Sequence, residues 1–518
     1  MDEKQPSRLE SNADFITLEH EILDFWQEHR CFELLREKNK NGPVFRFLDG
    51  PITANNPMGV HHAWGRTLKD VFLRYKAMQG HASHWQNGFD SQGLWVEVEV
   101  ERELSFGSKR DIEAYGIEKF IGKCKERVEK FSQIQTAQSI RLGQWMDWPN
   151  SYYTHTDSNI EGIWFFLKKC HENGWLYKDK RISLWCPRCG TSLSEHEMTG
   201  SYRNLEHHSI FCKLPIRDKN ARILVWTTTP WTLPANVALA VKPEIDYCEA
   251  ILPDESTPLI LAQDSLAVLQ DKKPKILRVF KGAELLGLRY ETCFPDLPAQ
   301  KQVDHCIVPW EEVDPQEGAG VVHIAPGCGA EDFELGQEKN LAIIAPVDEA
   351  GVYVEGFDWL SGRKAQEVAE PIIAALENSD KLYKSQKYAH NYPVCWRCKT
   401  ETIFRPVDEW FIRCSEIRPR LLEAARSVHW QPAHLGKRME DWLANMGDWS
   451  ISRKRFYGLP LPIYLCETCG EVTVVGSKTE LRQFGGPEVD ELSELHRPWI
   501  DRIKIKCPSC NAPVARIP

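Results

Sequence analysis

Val44-Phe-Arg-Phe-Leu-Asp-Gly-Pro51 runs directly into Ile52-Thr-Ala-Asn-Asn-Pro-Met-Gly59-Val-His61-His62-Ala-Trp-Gly-Arg-Thr-Leu-Lys69-Asp70, and this stretch decides the fold class. Its first part alternates apolar and polar residues and stops at Gly50-Pro51, the pattern of a strand entering a loop. A helix is expected to start near His61 or His62 and to run through Asp70 to Tyr75. A glycine and two histidines therefore stand where a loop feeds a helix N-terminus, and backbone N–H groups and the helix dipole favour phosphate there. Imidazoles at such a place can donate to phosphate oxygens whose charge grows in a transition state. Two adjacent histidines are also, and more commonly, plain surface or core residues.

Working outward, residues 14–38 carry apolar side chains at helical spacing (Phe15, Leu18, Ile22, Leu23, Phe25, Trp26) and predict one long amphipathic helix. Gly80 to Gly93 is a strand-to-loop stretch, and Gly93 to Leu104 a helix rich in glutamate. Residues 110–145 and 157–174 also predict helices. The first 180 residues thus alternate strand and helix, which implies a doubly wound α/β sheet. From about 200 to 390 the texture changes to short β-branched runs (221–229, 245–252, 306–310, 318–326, 341–347) between Pro/Gly turns, with one helix from Gly362 to Asn378. After 400 the α/β texture returns, and the last fifty residues form a small Cys-rich module. The expected architecture is an α/β domain interrupted by a β-rich domain.

At 518 residues the chain should hold two or three domains. Its 42% hydrophobic and 27% charged content is that of a globular protein. The formal net charge of -10 neither supports nor excludes a nucleic-acid partner, because only a contacting face must be basic. The polar N-terminus lacks the apolar core of a secretory signal. The uncharged stretch Ile223 to Val241 contains Pro230 and Pro234 and reads as strand and turn, not as a membrane span. A cytoplasmic protein without membrane contact is expected. Eight of the seventeen cysteines fall into four CxxC pairs, Cys186/Cys189, Cys395/Cys398, Cys466/Cys469 and Cys507/Cys510. A CxxC turn grips one face of a tetrahedral zinc and two turns complete it, so the first two pairs would clamp the base of the β-rich domain and the last two would make a zinc ribbon. Neither set leaves the open position that metal catalysis needs, so both would be structural. Free buried thiols or redox pairs are the alternatives.

These segments together resemble the class I aminoacyl-tRNA synthetases over nearly the whole chain. Gly59-Val60-His61-His62 resembles the family's His-x-Gly-His signature with its first histidine and glycine exchanged, and Lys69-Asp70 matches the segment downstream. In the family the glycine makes room for adenine and the first histidine meets the ATP phosphates. The resemblance therefore implies catalytic roles for Gly59, His61, His62 and Lys69. Gly88-Phe-Asp90-Ser-Gln-Gly93-Leu-Trp95-Val-Glu97 is similar to the family's GxDxxGxPxE, with Trp95 in place of proline. It implies that Asp90, with Pro51, binds the amino acid, one buried carboxylate neutralising one ammonium. A loop or helix cap is the plainer role for Asp90.

Trp226-Thr227-Thr228-Thr229-Pro-Trp-Thr-Leu-Pro-Ala-Asn236 resembles the threonine-rich editing strand of the isoleucine-specific members, where valine and leucine members have Thr-Thr-Arg-Pro. Gly318-Ala-Gly-Val-Val-His323-Ile-Ala-Pro-Gly-Cys328-Gly-Ala-Glu-Asp332 resembles GTGxVHxAPGHGxxD. By this resemblance Thr227, Thr228, Thr229, Asn236, His323 and Asp332 form a hydrolytic editing site, Asp332 taking the α-ammonium of a mischarged amino acid. Cys328 stands where the pattern has histidine: a neutral replacement, a tuning of deacylation, or a nucleophile. A second sieve is needed because a pocket discriminates one methylene by only about 1–3 kcal/mol, a limit for which isoleucine against valine is the usual worked example. Asp448-Trp-Ser-Ile-Ser-Arg453-Lys-Arg455-Phe-Tyr457-Gly-Leu-Pro460 resembles DWxISRQRxWGxP and implies contact of Arg453 and Arg455 with a tRNA acceptor end; a basic surface turn is the plain alternative.

The resemblance implies ATP-dependent activation of isoleucine and its transfer to tRNA(Ile), with hydrolytic editing of valyl-tRNA(Ile). ATP with Mg2+, up to two structural Zn2+ and a monomeric full-length state go with it. The expected domains are an N-terminal helical extension (1–45), the first half of a Rossmann-like catalytic domain (46–195), the inserted editing domain (196–394), a return to the catalytic domain (395–462) and a zinc ribbon (463–518). The family's KMSKS loop, the second catalytic half and the anticodon-binding domain have no counterpart in the sequence, so this polypeptide alone is expected to make little isoleucyl-adenylate. A stand-alone editing hydrolase and a non-catalytic tRNA-binding derivative are the alternatives.

Overall fold

The structure, a computed structural model, describes residues 14–47, 50–193, 195–198, 200–253 and 255–517. Residues 1–13 of the expected N-terminal extension, and Leu48 and Asp49 of the opening motif, lie outside them. The chain folds as two compact units, Met1–Glu172 with Arg455–Pro518, and Asn173–Lys454.

In the first unit the parallel α/β pattern expected from the opening stretch is present. Ile52–Thr53 pairs in parallel with Gly88–Asp90, which pairs in parallel with Tyr152–Tyr153, and Val44–Phe45 pairs in parallel with Ala82–Ser83. Parallel neighbours need a crossover, and the Val60–Met78 helix supplies the first. Leu94–Glu103, Lys109–Tyr115 and Ile117–Arg141 lie between the second and third strands. Their inward residues (Val96, Val100, Ile112, Phe120, Val128) join Phe89 and Tyr457 in one core. The helix expected over 110–145 is broken at Gly116, whose φ of 102° is a backbone state that suits glycine.

The single helix expected over 14–38 is a correction. Two helices, Phe15–Glu28 and Cys31–Asn39, meet at Arg30, whose φ of 50° is left-handed. Asp14 caps the first by accepting from the Ile16 and Thr17 N–H groups at 3.1 and 3.3 Å. The turn lets Trp26 and Phe32, one on each helix, pack against the same Trp145 ring, at 5.0 and 5.8 Å between centroids. At the other end of this unit, Ile463–Leu465 pairs with Val472–Val474 and Lys504–Lys506 with Pro513–Ala515. This small module buries Trp164 of the Asp157–Glu172 helix, whose indole donates to the Pro460 carbonyl at 2.8 Å.

The second unit is β-rich. One mixed sheet runs Lys275–Lys281, Asp246–Ile251, Leu259–Ala262, Arg222–Thr227, Val322–Ile324, Ala238–Val241, Cys306–Pro309, and Arg222–Thr227 also pairs with Tyr202–Pro215, the partner of Leu382–Pro393. β-branched and small residues buried on both faces (Ile223, Val225, Ala238, Val241, Ile260) account for the continuous apolar runs in the sequence. A second sheet joins Leu176–Cys186 antiparallel to Ile403–Ile412 over ten residue pairs. Two details differ from expectation. Residues 341–346 form no strand, and Val347 makes only an isolated bridge to Tyr353. The helix expected from Gly362 spans Ala369–Asn378, because Ala365–Glu367 is a 3-10 turn that buries Ala365. No helix among the described residues is long and apolar enough to cross a membrane.

Candidate active sites and metal centres

Gly59 is the N-cap of the Val60–Met78 helix. Its N–H donates to Nδ1 of His62 at 3.1 Å, so an imidazole at the third helical position does the work that glutamate does in a capping box. Nδ1 accepts, which puts the proton of neutral His62 on Nε2, facing away from the bond. Burial, with the neighbouring His61 and Arg66, holds the His62 pKa below the usual histidine value. The His61 ring stacks on it, centroids 3.9 Å apart and tilted 43°. The loop before the helix is held from the Ile117–Arg141 helix: Gln135 donates to the Thr53 and Asn56 carbonyls at 2.9 and 2.8 Å, and Gln138 accepts from the Met58 N–H at 2.7 Å. Lys69 follows on the same helix, and Asp70 accepts from Arg74 at 2.6 Å and from the Trp145 N–H at 3.2 Å.

Asp90 ends the central strand directly opposite Thr53, whose hydroxyl donates to its carboxylate at 2.9 Å. Pro51 immediately precedes the Thr53 strand. Burial raises the Asp90 pKa against the lowering effect of its hydrogen bonds, so a cation placed beside the carboxylate would be favoured there. Glu97 is a residue whose part the sequence did not disclose. It is fully buried and ion-paired to Lys109 at 2.5 Å. It also accepts from the backbone N–H groups of Phe456 and Tyr457 at 2.9 and 2.8 Å. Burial alone would raise its pKa, but Lys109 and Arg455 outweigh it and hold the carboxyl ionised. The Gly93 N–H completes the join by donating to the Tyr457 carbonyl at 2.7 Å. The two motif segments around Asp90 and Tyr457 are therefore one construction.

In the second unit the threonine-rich segment leaves its strand at Thr227 and turns through Pro230–Ala235. Thr229 donates its N–H to the Thr227 hydroxyl at 3.1 Å. The Thr232 hydroxyl donates to the Thr229 carbonyl at 2.9 Å and lies 2.7 Å from Nε2 of His323. Asn236 donates to Nδ1 of His323 at 3.2 Å, and its own oxygen accepts from Tyr290 and Thr292 at 2.6 and 3.2 Å. These partners fix His323 as the neutral tautomer with Nε2–H donating to Thr232. Burial pushes its pKa down to about 4, in keeping with that arrangement. With both nitrogens engaged, His323 positions the threonine turn and is not a free base. Thr228 and Thr229 line a cavity of about 170 Å3 together with His207, His208, Tyr392 and Glu401. Asp332, in the first turn of Ala330–Glu338, accepts from the Ala325 N–H at 2.7 Å and is not part of that cavity wall. Burial raises its pKa to about 6. Cys328 is buried, and burial together with Asp332 raises its thiol well above the usual range, which suits a neutral residue and not a nucleophile. Gly318 is needed at its place: its φ is 58°, and a Cβ there would stand 2.6 Å from the Trp226 ring.

The cysteines gather as two sets of four, Cys186, Cys189, Cys395 and Cys398 in the second unit and Cys466, Cys469, Cys507 and Cys510 in the first, the Sγ atoms of each set within 4.8 Å of one another. Sulfur separations of 3.5 Å (Cys186–Cys398, Cys466–Cys510), 3.6 Å (Cys469–Cys507) and 4.0 Å (Cys189–Cys395) bracket the roughly 3.8 Å edge of a tetrahedron with zinc–sulfur bonds of about 2.3 Å. Both sets could hold zinc. Arg453 donates to the Ser450 hydroxyl at 2.9 Å and to the Ser452 carbonyl at 2.7 Å, and faces Glu409 at 3.5 Å, so its guanidinium braces its own turn.

The sequence model of the tRNA synthetases class I (I, L, M and V) matches residues 21–510. The chain belongs to this family. Similar class I synthetases are the isoleucine--tRNA ligases of Methanothermobacter thermautotrophicus (39% identical, 97% of this chain, 48% of the relative), Clostridium acetobutylicum (39%, 98% and 49%) and Methanocaldococcus jannaschii (38%, 98% and 50%). The chain spans about half the length of these curated relatives.

Proposed function

We propose that this class I synthetase chain forms part of an isoleucine--tRNA ligase, holding half of the isoleucine-activating centre in its first unit and a complete editing site in its second. The observation that carries this reading is the match along 97–98% of the chain to relatives named isoleucine--tRNA ligase. In the first unit the Asp90 carboxylate would take the α-ammonium of isoleucine beside Pro51. The N-terminus of the Val60–Met78 helix, with His61, His62 and Lys69, would take the phosphates of ATP·Mg2+. Glu97 holds the Asp90 and Tyr457 segments together. In the second unit the Thr227–Thr229 turn, braced by His323 and Asn236, would present hydroxyls and N–H groups to an aminoacyl ester and a water. Asp332 would take the α-ammonium of a misattached valine. The two cysteine sets would hold structural zinc, which ties loops together without entering either reaction. The expected domain boundaries, tRNA(Ile) as partner and Arg455 near its acceptor end belong to the same proposal.

The threonine turn, His323, Asn236 and Asp332 all lie within one compact unit, which favours hydrolysis of valyl-tRNA(Ile) by the chain itself. The test has two parts. Deacylation of valyl-tRNA(Ile) by this chain should be lost in Asp332→Ala. Isoleucine-dependent ATP–pyrophosphate exchange should emerge when the part of the Methanothermobacter relative that this chain does not span is supplied in trans. Exchange supported by leucine as well as by isoleucine, or by valine as efficiently as by isoleucine, would refute the isoleucine assignment, and absence of both activities would refute the enzyme.

A further inference from the structure

We propose that the Cys466, Cys469, Cys507 and Cys510 set is a peroxide-sensitive switch in the first unit, whereas the Cys186, Cys189, Cys395 and Cys398 set of the second unit is shielded from the same oxidant. This rests on the reading of both sets as zinc-holding and adds a difference between them.

The two sets share sulfur spacing and differ in access. In the second unit Cys186, Cys189 and Cys395 are each 0% exposed, and Cys398 is half-buried. In the first unit Cys466 and Cys507 are buried, but Cys469 and Cys510 are exposed. Oxidation of a thiolate follows access, and a sensing cysteine stands beside a second one that resolves it. Each exposed sulfur has a buried neighbour from the opposite CxxC turn. Cys510 lies 3.5 Å from Cys466, and Cys469 lies 3.6 Å from Cys507.

The exposed thiolate attacks one oxygen of hydrogen peroxide, giving a sulfenic acid and hydroxide as the O–O bond breaks. The buried thiolate then attacks the sulfenic sulfur, the S–S bond forms, and a second hydroxide leaves. Two protons from solvent turn both hydroxides into water. Peroxide is reduced by two electrons and each sulfur is oxidised by one. A set with two of its four thiolates in a disulfide no longer offers a tetrahedral donor shell. A thiol reductant reverses the step by exchange.

The consequences stay within the first unit. Cys466 and Cys507 belong to the same core as Trp164, whose indole donates to the Pro460 carbonyl at 2.8 Å. Leu495 donates its N–H to Asp157 on the same helix as Trp164, also at 2.8 Å. Pro460 closes the segment whose Tyr457 N–H is held by Glu97 at 2.8 Å. Oxidation of this set therefore loosens the join between the Asp90 and Tyr457 segments. The threonine turn, His323 and Asp332 lie in the other unit with the shielded set. Peroxide thus acts on the amino-acid site and leaves the hydrolytic site in place.

The test uses the purified chain carrying Cys31→Ser and Cys306→Ser, which removes the two partly exposed cysteines outside the sets. Zinc is counted by elemental analysis before and after hydrogen peroxide, a chromogenic chelator follows its release, and disulfides are mapped by mass spectrometry. Two ions before treatment and one after are expected, the first leaving about tenfold faster than the second or more. The new disulfide should join Cys466 to Cys510 or Cys469 to Cys507, and dithiothreitol with added zinc should restore the lost ion. Urea unfolding should show a weakened first unit and an unchanged second. Release of both ions together, release of neither, or a disulfide within the Cys186 set would overturn the proposal and leave zinc binding standing. So would equal weakening of both units. Fewer than two ions before peroxide would overturn the reading of both sets as zinc sites, and the proposal with it.

Discussion

Lowering the pH through about 6 should switch off the proposed hydrolysis of valyl-tRNA(Ile) while it stabilises the second unit. Both effects come from Asp332. Burial is the largest influence on its carboxyl and raises the pKa from 3.8 to about 6, with Glu331 adding to the rise and the Ala325 N–H opposing it. A shift of about 2 units corresponds to roughly 3 kcal/mol between the two protonation states. The folded chain keeps this proton to a higher pH than the unfolded chain, so stability declines as pH climbs from about 4 through 6. Holding an ammonium requires the ionised form, so kcat/KM should rise over the same interval. At pH 5 only about one tenth of Asp332 is ionised, and kcat/KM should be about tenfold below its plateau. His323, pushed down to about 4, stays neutral above pH 5 and adds no limb there. The assay is initial deacylation rate against substrate concentration from pH 5 to 7.5, corrected for spontaneous ester hydrolysis and paired with urea unfolding at each pH. Asp332→Asn should abolish hydrolysis and make the unit more stable at pH 7 than the unaltered chain. A flat kcat/KM profile between pH 5 and 7 would refute the assignment of Asp332 to the ammonium, as would an acid limb that persists in Asp332→Asn.

Asn236→Ala leaves Tyr290, Thr292 and one nitrogen of His323 without their shared partner, and at about 1–3 kcal/mol per buried orphan it should cost about 3 kcal/mol or more in urea unfolding. Glu97→Gln leaves Lys109 with Glu101 as its one buried carboxylate partner at 2.7 Å, and should destabilise the first unit by about 1–3 kcal/mol, visible as an early unfolding transition. The purified chain should carry two zinc ions by elemental analysis. Cys395→Ser and Cys466→Ser should each lose one, the former loosening the second unit and the latter the first, and chelation should reproduce both effects.

The parallel strands and the crossover helix were legible in residues 44–90, because an alternating run, a Gly-Pro stop and a helical period follow one another there without ambiguity. The break at Arg30 was not, since a left-handed arginine leaves no trace in apolar spacing. Nor does spacing say which side of an apolar helix finds a partner: on Val60–Met78 the side chains of Trp64, Leu68 and Phe72 are 51–70% exposed in the described chain, whereas Leu73 is fully buried. Residues 341–347 have strand composition, yet their backbone is used in loop contacts. At the sites, the cysteine pairs disclosed their grouping through spacing alone. The threonine turn, His323 and Asp332 could be nominated only by resemblance. What anchors them could not, because Tyr290 and Thr292 reach Asn236 from 54 and 56 residues away and belong to no motif. Glu97 was visible only as the last letter of a pattern, while its partners lie 12 and 360 residues distant.

That last separation sets a timetable for biosynthesis. When Glu97 leaves the ribosome, the N–H groups of Phe456 and Tyr457 that will hold its carboxylate are still untranslated. At about 5–20 residues per second they arrive roughly 20–70 s later. In the interval the nascent first unit has a charged group destined for its centre and an unfilled place for Tyr457, while the intervening segment has its whole fold, Asn173–Lys454, at hand before the last piece emerges. The segment that interrupts the first unit is thus the earlier one able to finish, and slow synthesis near codon 455 would prolong the exposure of the other.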